Sequence, residues 1–179
     1  MNKYSFLGLI LGFTFISSSA FAAVDPEVSY ILNTLLFLIG GFLVMWMAAG
    51  FAMLESGLVT SKSVATIAAK NIGLYSIAGL MFWFIGYNLA YGISEGGFIG
   101  TLLPWSDASS IETGYSDGSD WFFQMVFCAT TCSIVSGTMA ERIKIWPFFL
   151  FCAILAGVIY PIEMGWQWGG GHLAAAGFS

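Results

Sequence analysis

Charge is what this 179-residue sequence has least of. Asp, Glu, Lys and Arg together make up 8% of it, where soluble domains carry about 25%. That little polar surface cannot coat a water-exposed globule, so a soluble domain is excluded. Lys and Arg number five against ten acids, a net charge of −5. No basic patch is available, which removes nucleic acid as a partner. There is a single histidine, His172, and no nucleophile has a base beside it. A catalytic constellation therefore lacks its parts, and the sequence is not read as an enzyme or as a cofactor carrier. The three cysteines, Cys128, Cys132 and Cys152, all fall in apolar runs. Cys128 and Cys132 are one helical turn apart, a poor geometry for a disulfide. With no His or carboxylate nearby a metal is not expected either, and the thiols read as small buried hydrophobes. Internal repeats are also missing.

What the sequence does have is long apolar stretches. Four charge-poor runs cover 30–54, 71–94, 121–140 and 145–162. A helix needs about 20 residues to cross a hydrocarbon core of ~30 Å, and each run is long enough. The fold class is an all-α membrane protein with about four transmembrane helices, placed at about 30–54, 67–92, 121–140 and 145–162. The N-terminus reads as a cleaved signal peptide over 1–22: Lys3, an apolar 6–16 stretch, then Ala20-Phe21-Ala22 as the cleavage site. The alternative is a retained extra helix over 6–23.

The basic residues set the orientation. They are Lys3, Lys62, Lys70, Arg142 and Lys144. If 55–70 and 141–144 are cytoplasmic, each lies on or beside that side. The segment from Glu95 to Asp120 holds five acids and no base, which suits the outside. The mature chain then starts outside, crosses four times and ends outside, in a plasma membrane or a bacterial inner membrane.

Several local features follow. Asp120 suits the N-cap of the third span, Pro147 the first turn of the fourth, and Pro161 that span's end. Tyr30, Tyr91, Trp121, Trp146 and Tyr160 fall at span ends, where an interfacial aromatic belt explains them. Trp46 and Trp83 lie deeper and read as fillers of packing gaps. Small residues recur at helical spacing, Ala48 and Ala52, Ser133 and Gly137, Ser136 and Ala140, and let helices approach closely. The segment 98–105 reads as a short interfacial piece.

Two aromatic elements remain. Phe123 and Phe127 share one helical face of the third span. Trp166 and Trp168 follow the fourth, just before Gly169-Gly170-Gly171, where backbone can come close. Topology puts all four at one external mouth. Such a cluster either packs at the interface or holds a small cation over its ring faces, at about 0.5–2 kcal/mol per contact.

Several separate segments from about Tyr30 to the end form an ordered set: residues 49–59 (AGFAMLESGLV), Lys70-Asn71, Gly86-Tyr87 with Gly92, and Phe122-Phe123-Gln124 with Phe127. The set continues through 133–137 (SIVSG), Ala140-Glu141-Arg142, Tyr160-Pro161, and Trp166-x-Trp168-Gly169-Gly170-Gly171. In this order and at these topological positions they resemble the ammonium transporter family (Amt/Mep/Rh). The resemblance implies that residues 23–179 are the N-terminal part of an eleven-span domain forming homotrimers. It implies ammonium or ammonia as substrate, Phe123 and Phe127 as the pore gate, and Phe127 with Trp168 as the external cation site. Glu55 is expected to be structural, paired with Lys62 or Arg142.

The departures from the pattern are specific. The family's paired pore histidines lie in later spans, and His172 is expected to be a plain solvated histidine of an external loop. Gly165-Trp166-Gln167-Trp168 stands where many relatives have His-Trp-x-Trp, and Leu74 where some have Asp. The alternatives to transport are a membrane ammonium sensor or regulatory binder, and an inactive truncated fragment.

Overall fold

The structure, a computed structural model, describes residues 25–178. The expected signal peptide lies outside the described residues. Inside a bilayer, backbone groups must bond within their own segment, and the described residues form helices joined by turns and irregular loops, with no strand among them. These are α1 (Pro26–Leu58), α2 (Val64–Met81), α3 (Tyr87–Tyr91), α4 (Asp117–Met139), α5 (Ile145–Ile154), α6 (Tyr160–Gln167) and α7 (His172–Ala175). Four helical stretches are long and apolar enough to cross a membrane: Pro26–Leu58, Ser61–Tyr91, Asp117–Met139 and Ile145–Ala175. They are called the first to fourth spans below.

The third span is the centre of the bundle. Its Cys128, Ala129, Cys132, Ser133 and Ser136 are buried against the other three spans. The cysteines are free and buried, and Cys128 Sγ donates to the Ala156 carbonyl at 3.3 Å. The first span lies at the edge, with Gly41 and Glu55 as its buried residues. Trp46 and Trp83 are not gap fillers: they are 71% and 43% exposed, on the apolar outer surface of the helices. A flat apolar ring needs no partner atoms where the solvent is itself hydrocarbon.

The second and fourth spans are each interrupted by one π turn, Phe82–Gly86 and Leu155–Ile159. The two turns touch, for a Cβ on Gly86 would come within 3.0 Å of the Ala156 carbonyl and 3.1 Å of the Pro161 ring. Pro161 therefore does not end the fourth span. It has no N–H to give and its ring crowds the preceding turn. The widened turn before it absorbs both defects, and the helix continues as α6 to Gln167.

At the opposite end of the bundle from that segment, Glu55 pairs with Lys70 at 2.9 Å rather than with Lys62 or Arg142. Both partners are nearly fully buried, at 1% and 6% exposure. Ser136 Oγ donates to the Glu55 carboxylate at 2.9 Å, and Lys70 Nζ donates to the Ser136 carbonyl at 3.1 Å. That carbonyl is in the last turn of α4, where intrahelical donors run out. Lys70 supplies the missing donor and a charge of the right sign for a helix C-terminus. Lys62 and Arg142 are exposed. Two loops also meet here: Glu141 accepts from the Thr60 backbone N–H at 3.1 Å and from its hydroxyl at 2.6 Å. Those bonds hold the Glu141 carboxyl below its ordinary pKa.

Candidate functional site

The start of the third span fixes the site. The helix begins at Asp117 with Ser116 in extended conformation as its cap, and the Ser116 N–H donates to Thr34 Oγ1 of α1 at 2.9 Å. Asp120 is therefore not the N-cap. Its own N–H already bonds to the Ser116 carbonyl at 3.1 Å, which places it inside the first turn. Its side chain is buried, accepting from the Tyr87 phenol at 2.7 Å and from Gln124 Nε2 at 3.1 Å. Nearby, burial first and then the carboxylates of Asp120 and Asp117 raise the pKa of the Tyr115 phenol.

One turn further on, Phe123 and Phe127 meet edge to face, with ring centroids 5.1 Å apart and planes at 77°. Phe123 also abuts Phe37 of α1, at 5.4 Å. Two glycines of α1 make room for these rings. A Cβ on Gly40 would come within 2.9 Å of the Phe123 ring, and one on Gly41 within 2.6 Å of the Phe122 ring.

The rings open onto a cavity of about 300 Å³. The third span contributes Phe123, Gln124 and Phe127 to its wall. Tyr91 lines it from α3, and the fourth span adds Tyr160, Met164 and Trp168. Trp168 is 72% exposed. It stands just after α6, its N–H bonded to the Met164 carbonyl at 2.7 Å. The glycines after it are required by geometry. A Cβ on Gly169 would overlap the Ala90 carbonyl oxygen, and Gly170 sits at φ 76° in the left-handed region.

Phe123, Phe127 and Trp168 thus share one cavity, and Trp166 does not join them. Its indole N–H donates to the Phe98 carbonyl at 2.8 Å. His172 is no plain solvated histidine either. It stacks on Phe98 at 4.3 Å and meets Trp166 edge-on at 4.9 Å, with Nδ1 buried. The cluster forms because Gly96 N–H bonds to the Gly170 carbonyl and His172 N–H to the Gly97 carbonyl, each at 3.0 Å. Those bonds draw the acidic loop onto the end of the fourth span. Chemically, the cavity offers five ring faces, one amide and no charged side chain. Rings arranged this way attract a small cation and give little to an anion.

The sequence profile of the Ammonium Transporter Family matches residues 35–179, which takes in every lining residue of this cavity. The chain belongs to the ammonium transporter family. Among similar members, the ammonium transporter Amt2 of Archaeoglobus fulgidus is 42% identical over 147 residues, covering 79% of this chain and 30% of that protein. An ammonium transporter of Aquifex aeolicus is 32% identical over 184 residues, covering 99% of this chain and 42% of that protein. Among solved structures, one titled Sensor Amt Protein superposes with a TM-score of 0.72 at 30% identity, over 81% of this chain and 36% of that one. Mep2 of Candida albicans gives 0.70 at 25% identity, over 86% and 35%. The chain spans less than half the length of each of these relatives.

In this ammonium transporter family member, sequence reasoning missed four cavity residues. Sequence reasoning places Tyr91 and Tyr160 in the interfacial belt, uses Gln124 only as part of a motif, and gives Met164 no role. A signal was present: Tyr160, Met164 and Trp168 are spaced by four, and Gln124 lies three before Phe127, so each set shares a helical face.

Proposed function

We propose that this chain forms the entrance and first four spans of an ammonium transporter. The observation that carries the reading is the ring-lined cavity holding Phe123, Phe127 and Trp168 together. Trp168 and Phe127 hold the ion at the mouth, and the edge-to-face pair of Phe123 and Phe127 gates the way inward. A bare ammonium ion in hydrocarbon costs several kcal/mol or more. Ring faces collect it while water is still near, and an apolar passage beyond favours loss of the proton, because desolvation favours the neutral form. Potassium has no proton to lose.

The cavity faces outward in this reading, and the mature N-terminus is outside. Lys62, Lys70, Arg142 and Lys144 sit at the opposite end of the spans from the cavity, as cytoplasmic residues do. The membrane is a plasma or bacterial inner membrane, and the functional unit is a homotrimer. Exposed apolar side chains along α1, among them Leu36, Leu43 and Trp46, suit lipid or further helices.

The test is uptake. The open reading frame that encodes this chain, expressed through to its own stop codon in a host lacking ammonium uptake, restores growth on low ammonium. Trp168→Leu weakens uptake at low concentration, and Phe127→Ala lowers discrimination against potassium. Wild-type behaviour of both variants across a concentration series would remove the proposed site. A second reading, an ammonium sensor, draws on the likeness to the Sensor Amt Protein. It predicts ammonium binding with no flux in the same experiment.

A further inference from the structure

Ring faces reward charge but do not distinguish an N–H bearing cation from one without N–H. We propose that Gln124 supplies this distinction: its side-chain carbonyl accepts an N–H from the cation in the mouth, and Asp120 is the positioning residue that turns the amide to do so. The inference rests on the ring-lined cavity being the entry site for ammonium.

The argument starts from the buried acid. Asp120 is 6% exposed, and no cation lies within ion-pair distance of it among the described residues. Its two contacts are both donations to the carboxyl group, from the Tyr87 phenol at 2.7 Å and from Gln124 Nε2 at 3.1 Å. The Gln124 amide presents its donor end, Nε2, to Asp120 Oδ1. The reverse orientation would set the Gln124 carbonyl against a carboxyl oxygen, since the Tyr87 phenol already donates to the other one. The amide nitrogen is held by Asp120, so the amide oxygen is on the side away from that contact, and Gln124 is a wall residue of the cavity. Among the described residues Oε1 receives no donor, and it is not one of the buried atoms sealed off without a partner. An acceptor held in place among five ring faces is complementary to a small cation that carries N–H groups. Tyr87 completes the arrangement by taking the second carboxyl oxygen, which stops Asp120 from rotating off the amide.

The experiment measures competition against labelled methylammonium uptake, using the full reading frame and two unlabelled competitors. Ammonium carries N–H groups and tetramethylammonium carries none. Gln124→Leu is expected to weaken competition by ammonium about tenfold, the size of one hydrogen bond to a charged group net of water. Competition by tetramethylammonium should stay within about twofold, which also reports a folded mouth. Asp120→Leu, a residue off the cavity wall, is expected to shift the same way by a smaller factor. Trp168→Leu weakens both competitors, because it removes a ring face. If Gln124→Leu and Asp120→Leu shift both competitors equally, or neither, the role of the amide is overturned while the ring-lined mouth stands. If tetramethylammonium does not compete in the wild type, or Trp168→Leu changes nothing, the mouth itself fails.

Discussion

The buried pair of Glu55 and Lys70 makes the sharpest stability prediction. At 2.9 Å, two unit charges in an effective dielectric of ~20 attract by about 6 kcal/mol. Desolvation of both ions offsets much of that attraction, so the pair as a whole adds little. Removing one partner is a different matter. Lys70→Met leaves Glu55, 1% exposed, with Ser136 Oγ as its remaining donor. Its other oxygen already lacks a partner among the described residues. The expected loss is about 3–5 kcal/mol, a large share of the 5–15 kcal/mol that a typical domain has. The same change strips the Ser136 carbonyl of its donor at the end of α4. Glu55→Leu should be similarly costly, since it strands the ammonium group beside the Phe148 ring, 5.1 Å from its centroid. The double variant Glu55→Leu/Lys70→Met should then recover at least ~2 kcal/mol relative to the sum of the singles, because no uncompensated charge remains. Unfolding free energies from steric trapping in bicelles give the cycle directly. Lys62→Met and Arg142→Met, both exposed, serve as controls expected within about 0.5 kcal/mol of wild type. Additive single losses, or a Lys70→Met loss no larger than those controls, would refute the buried-pair assignment.

The glycines of α1 separate by what they face. Gly41→Ala meets the Phe122 ring at 2.6 Å, an overpacking cost of about 1–3 kcal/mol that exceeds the ~1 kcal/mol gained in helix propensity. Gly50→Ala, with nothing within 4 Å, should stabilise by up to ~1 kcal/mol, and the same trapping assay reads both. At the loop junction the Glu141 carboxyl is held below its ordinary pKa by its bonds from Thr60. Its contribution is therefore full above the unfolded-state pKa and lost as pH falls through the lower folded value. Hydrogen exchange at the Thr60 amide, corrected for the intrinsic rate, should lose protection over that acid window. In Glu141→Gln the protection should not depend on pH, and a pH-independent wild type would count against the linkage.

Span number and the cavity's two ends were legible because they depend on gross quantities. Twenty apolar residues between charges read as a span whatever they pack against. Equal parity of crossings put the start of the third span and the end of the fourth at one face, so Phe123, Phe127 and Trp168 could be grouped before any coordinates. What was not legible depends on rotation of one helix against another. Glu55 has Lys62 seven residues on and Lys70 fifteen on, and nothing in spacing alone ranks them. The choice is made by Ser136, whose hydroxyl donates to Glu55 and whose carbonyl, at the α4 terminus, takes its donor from Lys70. Asp120 was misread for a related reason. An acid just before an apolar run resembles a cap, and the true cap, Ser116, precedes a polar first turn that looks like loop. A capping Asp would have spent its carboxyl on its own helix. Because the helix starts four residues earlier, that carboxyl is free to hold Tyr87 and Gln124. The shift of one helical turn thus converts what reads as a local start signal into the group that holds the amide of the cavity wall.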